Sequence, residues 1–272
     1  FAQELADNPY AGAWSSGGDL NTGRRFLNTA AGSGADSGLI AGGYTGSNSA
    51  AVEQYNGTAW TEKNDLNAAR RSMSTTGSVT AAITVGGVPP ASDLTETWNG
   101  SSWTEVNELN TARGNGTVVG TTTAALFGAG YSTTNVANVE SWNGSSWTET
   151  GDVNTARSEI AASGTSTQSL IIGGYTTTPV GNTESWDGSS WTETADLNQV
   201  RDGLGGSTGG TYTSALVFGG SIPPETAKTE SWDGSSWTEV ADLASARRIM
   251  GGSGTATSAL SSGGYPTPLQ AN

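Results

Sequence analysis

The sequence predicts an all-β fold, a six-bladed β-propeller with four antiparallel strands per blade, and three recurrences carry that expectation. A marker tryptophan returns at Trp14, Trp60, Trp103, Trp147, Trp191 and Trp237, at intervals of 46, 43, 44, 44 and 46 residues. Ten residues after each stands an arginine: Arg24, Arg70, Arg113, Arg157, Arg201 and Arg247. A glycine pair then ends an apolar run 16 or 18 residues after each arginine, at Gly42-Gly43, Gly86-Gly87, Gly173-Gly174, Gly219-Gly220 and Gly263-Gly264, with Ala129-Gly130 in the third unit.

Each unit reads as four short strands. In the fourth, "SEIAASGTS" is a strand of small residues and "QSLIIGGY" an apolar strand ending at glycines; "NTESWDG" and "SSWTETADL" follow. Small side chains suit the innermost position, where strands converging on an axis have little lateral room. Asn-Gly or Asp-Gly between aromatic strands is a strong hairpin signal, because both residues tolerate positive φ. The tryptophans belong further out, as filling between diverging blades. The chain is read as one domain, 1–272, with blades at about 24–69, 70–112, 113–156, 157–200, 201–246, and 247–272 together with 1–23. In that last blade an N-terminal hairpin around Tyr10 and Trp14 joins the C-terminal strands, a closure that removes exposed strand edges.

The order "R…LIIGGY…ESW…W…L…R" resembles the kelch repeat, whose signature is a glycine pair followed by spaced aromatics. The resemblance covers essentially the whole chain and implies a kelch-type propeller with the glycine pair ending the second strand. Ala129 departs from it, as does Ser16 where other units carry the glutamate of "WTE". The wording "GGY…ESWNGSSWTE…LNTAR" is also similar to kelch-like repeats of marine phage and marine metagenomic proteins. It implies a virion component, a tail fibre, tail tip or capsid-surface domain, placed on the virion surface or outside the cell.

Composition narrows the chemistry. The 272 residues hold no cysteine and no histidine, and the formal net charge is −14. Histidine is the commonest metal ligand and general base, and its absence weighs against metal sites and most catalytic templates. The acidic balance disfavours nucleic acid and anionic membranes as partners. No apolar run is long enough to span a bilayer. No cofactor and no metal is expected.

Most charges sit at repeat positions. Glu53, Glu96, Glu140, Glu184 and Glu230 precede the third-strand aromatic by two, and sixteen of the 25 acids and six of the eleven cations recur in this way. Sixfold repetition favours a framework role, each arginine pairing with a repeat glutamate and stacking on a tryptophan between blades. The alternative is a Glu/Arg sugar isomerase at the channel mouth, but nothing in the repeat singles out one carboxylate.

The units disagree most between the glycine pair and the next glutamate, where loops carry Asn48, Pro89, Asp93, Asn135, Pro179, Pro223 and Glu225. These loops share one face of the disc, and loops on a rigid scaffold commonly carry binding. They are the candidate recognition surface, for another virion or surface protein or for a host-surface glycan or protein. Two further function classes stay open: a bacterial extracellular adhesin or filament subunit, and the sugar-active enzyme. Oligomeric assembly is compatible with each of them.

Overall fold

The computed structural model describes residues 12–265. Its β-sheets follow chain order. Blade one holds β1 (Ala31–Gly34), β2 (Ser37–Ala41), β3 (Val52–Tyr55) and β4 (Trp60–Lys63). Blade two holds β5 (Ser74–Ser78), β6 (Ala81–Val85), β7 (Thr95–Trp98) and β8 (Trp103–Val106). Blade three holds β9 (Thr117–Thr121), β10 (Ala124–Tyr131), β11 (Asn135–Trp142) and β12 (Trp147–Glu149). Blade four holds β13 (Ala161–Gly164), β14 (Ser169–Tyr175), β15 (Pro179–Trp186) and β16 (Trp191–Glu193). Blade five holds β17 (Gly205–Gly206), β18 (Ala215–Phe218), β19 (Thr229–Trp232) and β20 (Trp237–Val240). The sixth sheet pairs β21 (Gly251–Thr255) with β22 (Ser258–Ser262). Every pairing between neighbouring strands of a sheet is antiparallel.

The fold is thus an all-β propeller of five four-stranded blades with a partial sixth sheet. This differs from the expectation of six four-stranded blades, the last closed by an N-terminal hairpin with the C-terminal strands. Only β21 and β22 form strands of the sixth sheet among the described residues, and residues 12–20 run beside it without strand structure. The part of the expected N-terminal hairpin around Tyr10 lies outside the described residues.

Apolar residues from neighbouring sheets interlock at every interface. Val119, Leu126 and Val139 of blade three meet Ile171, Trp186 and Trp191 of blade four, for example, and the same pattern recurs around the disc. The paired tryptophans Trp98–Trp103, Trp142–Trp147, Trp186–Trp191 and Trp232–Trp237 lie tilted at 5.2–5.3 Å between ring centroids, and all are buried.

The glycine pairs have a specific job. The N–H of the second glycine donates to the carbonyl of the next unit's repeat arginine: Gly43 to Arg70, Gly87 to Arg113, Gly130 to Arg157, Gly174 to Arg201, Gly220 to Arg247 and Gly264 to Arg24. At Gly86, where φ is +72°, an added Cβ would come within 2.3 Å of the Arg113 carbonyl oxygen, so the two chains approach too closely for a side chain.

A second cycle of hydrogen bonds runs around the axis two residues after each repeat arginine. Ser72 N–H donates to Phe26, Asn115 to Ser72, Glu159 to Asn115, Gly203 to Glu159, Ile249 to Gly203 and Phe26 to Ile249. All six residues hold left-handed φ, between 49° and 61°. Below this cycle the middle is crossed rather than empty. Asn28 Nδ2 donates to the Ser72 carbonyl at 3.2 Å and, more weakly, to that of Gly116, and Thr208 Oγ1 donates to the Ala30 carbonyl at 3.2 Å. That excursion shortens β17 to two residues, because Thr208 and Gly209 leave the strand to bond with other sheets.

Candidate functional site

Five of the repeat arginines pair with glutamates of their own blades: Arg24 with Glu53, Arg70 with Glu96 at 2.8 Å, Arg113 with Glu140 at 2.5 Å, Arg157 with Glu184 at 2.8 Å and Arg201 with Glu230 at 2.9 Å. All ten side chains are buried. The second carboxylate oxygen is equally committed: Glu184 Oε2 accepts the backbone N–H of Asn154 at 2.7 Å and its Nδ2 at 2.8 Å. Asn67, Asn110 and Asn198 repeat that arrangement on Glu96, Glu140 and Glu230. Burial lowers the pKa of these guanidiniums, and the paired glutamate opposes the shift. Arg247 donates to the Gly263 carbonyl at 3.3 Å and to Ser245 Oγ at 2.7 Å, and Ala244 stands where the other links carry asparagine. A carboxylate saturated by three donors in a closed core offers nothing to a substrate, so these groups hold the links between blades.

The expected stacking of repeat arginines on tryptophan is not what forms. The tryptophans stack on one another, and Arg113 lies over Phe127, 4.7 Å from the ring centroid. The guanidinium edges are spent on glutamate and on strand carbonyls, which fixes them away from the indoles.

The seven loop residues are spread around the rim, on blades one to five. None is joined to another by a hydrogen bond or ion pair among the described residues. Some are structural. Asn135 Nδ2 bridges to the carbonyls of Tyr175 and Thr176 at 2.9 and 2.7 Å, tying blade three to blade four. Glu225 lies 3.4 Å from Arg248. Pro179 opens β15, whereas Pro89 and Pro223 each precede a second proline through a cis bond and are exposed. Asn48 closes a backbone bridge to Tyr44, and Asp93 accepts the Leu109 N–H through its carbonyl.

A concave site does form on this face, inside those loops. In blades three and four the second and third strands run on past the glycine bulge, so β10–β11 and β14–β15 stand up as long hairpins. Tyr131 and Tyr175, at corresponding positions on the two hairpins, are each 40% exposed. With Thr134, Thr176, Asn115, Glu159 and Asn135, one of the seven loop residues expected from the sequence, they line a groove of about 730 Å³. Among the described residues Asn115 Oδ1 is buried without a hydrogen-bond partner. Burial, and then the neighbouring Asp202, raise the Glu159 pKa, and burial raises that of Asp202.

The two positions after each repeat arginine therefore shape the mouth: Arg25-Phe26, Arg71-Ser72, Gly114-Asn115, Ser158-Glu159, Asp202-Gly203 and Arg248-Ile249. They lie outside the variable loops that the sequence marks as the candidate surface. The signal is a two-residue disagreement between units directly after an arginine that never varies. Among the described residues no group of three or more Asp, Glu, His or Cys is placed to hold a metal ion.

No protein-family model matches the chain, and no curated protein sequence matches it. Among solved structures it is similar to the structure of YjhT, with a TM-score of 0.75 at 12% identity, over 95% of this chain and 96% of that one. At that identity the likeness concerns the path of the backbone, and it establishes for this chain a β-propeller fold.

Proposed function

We propose that the protein is a non-enzymatic binding or structural module that engages its ligand through the loop face, at the groove between the blade three and blade four hairpins. The observation that carries this reading is the division of labour among polar residues. The repeated charges are consumed inside the framework, and an unrepeated set that includes two exposed tyrosines, Asn115 and Glu159 lines the groove. Exposed aromatic faces beside amide and hydroxyl groups suit a glycan or a polar protein surface. The resemblance to kelch-like repeats of marine phage supports a virion setting, with host attachment as the role; an adhesin arm is the cellular counterpart.

The same reading takes the propeller as a closed six-bladed ring whose last blade is completed by the N-terminal segment. Trp14 Nε1 bonds to Thr229 Oγ1 at 3.3 Å, as Trp147 does to Thr95 and Trp237 to Thr183. Trp60 Nε1 bonds to the Gly18 carbonyl as Trp191 does to that of Gly151.

Glycan and host-surface protein arrays with the wild type and a Tyr131→Ala/Tyr175→Ala variant test the binding reading. We expect a wild-type ligand whose affinity falls at least tenfold in the variant, with no product formed. Undiminished binding by the variant would move the site elsewhere, and turnover of a sugar would make the protein an enzyme.

A further inference from the structure

Eleven cations serve the whole chain, and six are the repeat arginines. Of the other five, Lys63 and Lys228 stand on the outer parts of blades one and five, while Arg25, Arg71 and Arg248 occupy one repeat position, directly after the repeat arginine. The axial hydrogen-bond cycle places their units side by side, sixth, first and second. A protein of net charge −14 thus gathers three of its five unrepeated cations on one arc of the channel mouth.

Aromatic rings interleave them. The Arg71 guanidinium lies 5.0 Å from the Phe26 centroid and 4.4 Å from that of Tyr44; Arg25 lies 5.5 and 5.4 Å from the same two rings. Tyr265 is shared in turn by Arg25 at 5.2 Å and Arg248 at 5.5 Å. Ring contacts occupy guanidinium faces and leave the in-plane N–H edges for acceptors. Arg248 has Glu225 at 3.4 Å. Arg25 and Arg71 have no carboxylate within ion-pair distance among the described residues. Two like charges held against the same pair of rings repel, and an oxyanion bridging their edges removes that repulsion while satisfying forked donors.

We propose that the Arg25–Arg71 edge of the mouth binds the oxyanion group of an acidic ligand, a carboxylate or a sulfate ester. The inference rests on reading the loop face as the binding surface and assigns that ligand its charge. It also explains how a strongly acidic protein would accept an anionic partner: the remaining surface repels it, and only this arc attracts it.

Thermal melting tests the assignment, with inorganic sulfate and with a galacturonic acid oligomer as probes at ionic strength held constant with sodium chloride. We expect a saturable rise in the wild-type melting temperature with at least one probe. Apparent affinity should be at least tenfold weaker in Arg25→Gln/Arg71→Gln, and only partly restored in Arg25→Lys/Arg71→Lys. A response to the oligomer alone identifies a carboxylate, and a response to sulfate alone a sulfate ester. If the double variant does not fold, the single Arg71→Gln variant gives the same comparison. Equal responses in wild type and variant, or none above the chloride control, overturn the proposal. Array binding that still depends on Tyr131 and Tyr175 would then leave the loop-face reading standing.

Discussion

At the scale of single residues, the repeated polar atoms build the framework. The turn residues illustrate this. Asp187 Oδ1 accepts the N–H groups of Ser189 and Ser190 at 2.8 Å each, and Asn143 Oδ1 accepts those of Ser145 and Ser146 at 2.9 Å. The aspartates accomplish with a charge what the asparagines accomplish without one. Backbone donors from the following serines pull the pKa of Asp187 and Asp233 down to about 2. A depressed folded-state pKa adds stability that is present above the unfolded carboxylate range and is lost as pH falls through the folded value. Asp187→Asn/Asp233→Asn should therefore flatten the decline in melting temperature between about pH 4 and pH 2, while leaving pH 7 nearly unchanged. A pH-melting series on both proteins checks it. Glu159 is the opposite case. Burial raises its pKa, so ionisation at neutral pH works against folding.

At the scale of elements, much was legible because the repeat states each requirement six times. The glycine pair, the Asn-Gly turn and the spacing of Trp142 and Trp147 each fix one local geometry, and all of them formed. What the pattern concealed was the length of the second and third strands. "GAGYSTTNV" and "IGGYTTTPV" extend through a bulge into long hairpins, whereas the loops of "GGVPPASDL" and "GGSIPPET" leave the sheet at the glycines. Both kinds hold a left-handed residue at the first glycine position, so local chemistry alone does not separate them. The marker tryptophans offer a matched comparison. Trp147 Nε1 bonds to Thr95 Oγ1 of blade two at 3.0 Å, but buried Trp103 Nε1 has no hydrogen-bond partner. Replacing either with phenylalanine removes similar apolar area, and only Trp147→Phe also breaks a bond between blades. It should cost about 1 kcal/mol more than Trp103→Phe in urea denaturation.

At the scale of the whole molecule, the propeller is a set of wedges sealed by three repeated devices: the glycine-to-arginine hydrogen bonds, the axial cycle, and the buried Arg–Glu pairs. The sequence made the ring legible through its period, but two things required coordinates. Which loops stand up is decided by pairing register, and which polar groups converge at the mouth is decided by the order of units around the axis. Arg25 and Arg71 are 46 residues apart and adjoin through the rings of Phe26 and Tyr44, while Asn115 and Glu159, 44 apart, share a groove. The central claim is that repeated charge is framework and that function lies where the units differ. Arg157→Ala leaves Glu184 buried without its cation, a loss of about 3–5 kcal/mol, or on the order of 10 °C in melting temperature. The most direct measurement is the denaturation midpoint of that variant, taken beside the affinity of its folded fraction for a loop-face ligand. A large fall in the midpoint with affinity retained is the expected result; an unchanged midpoint with binding or activity lost would contradict the account.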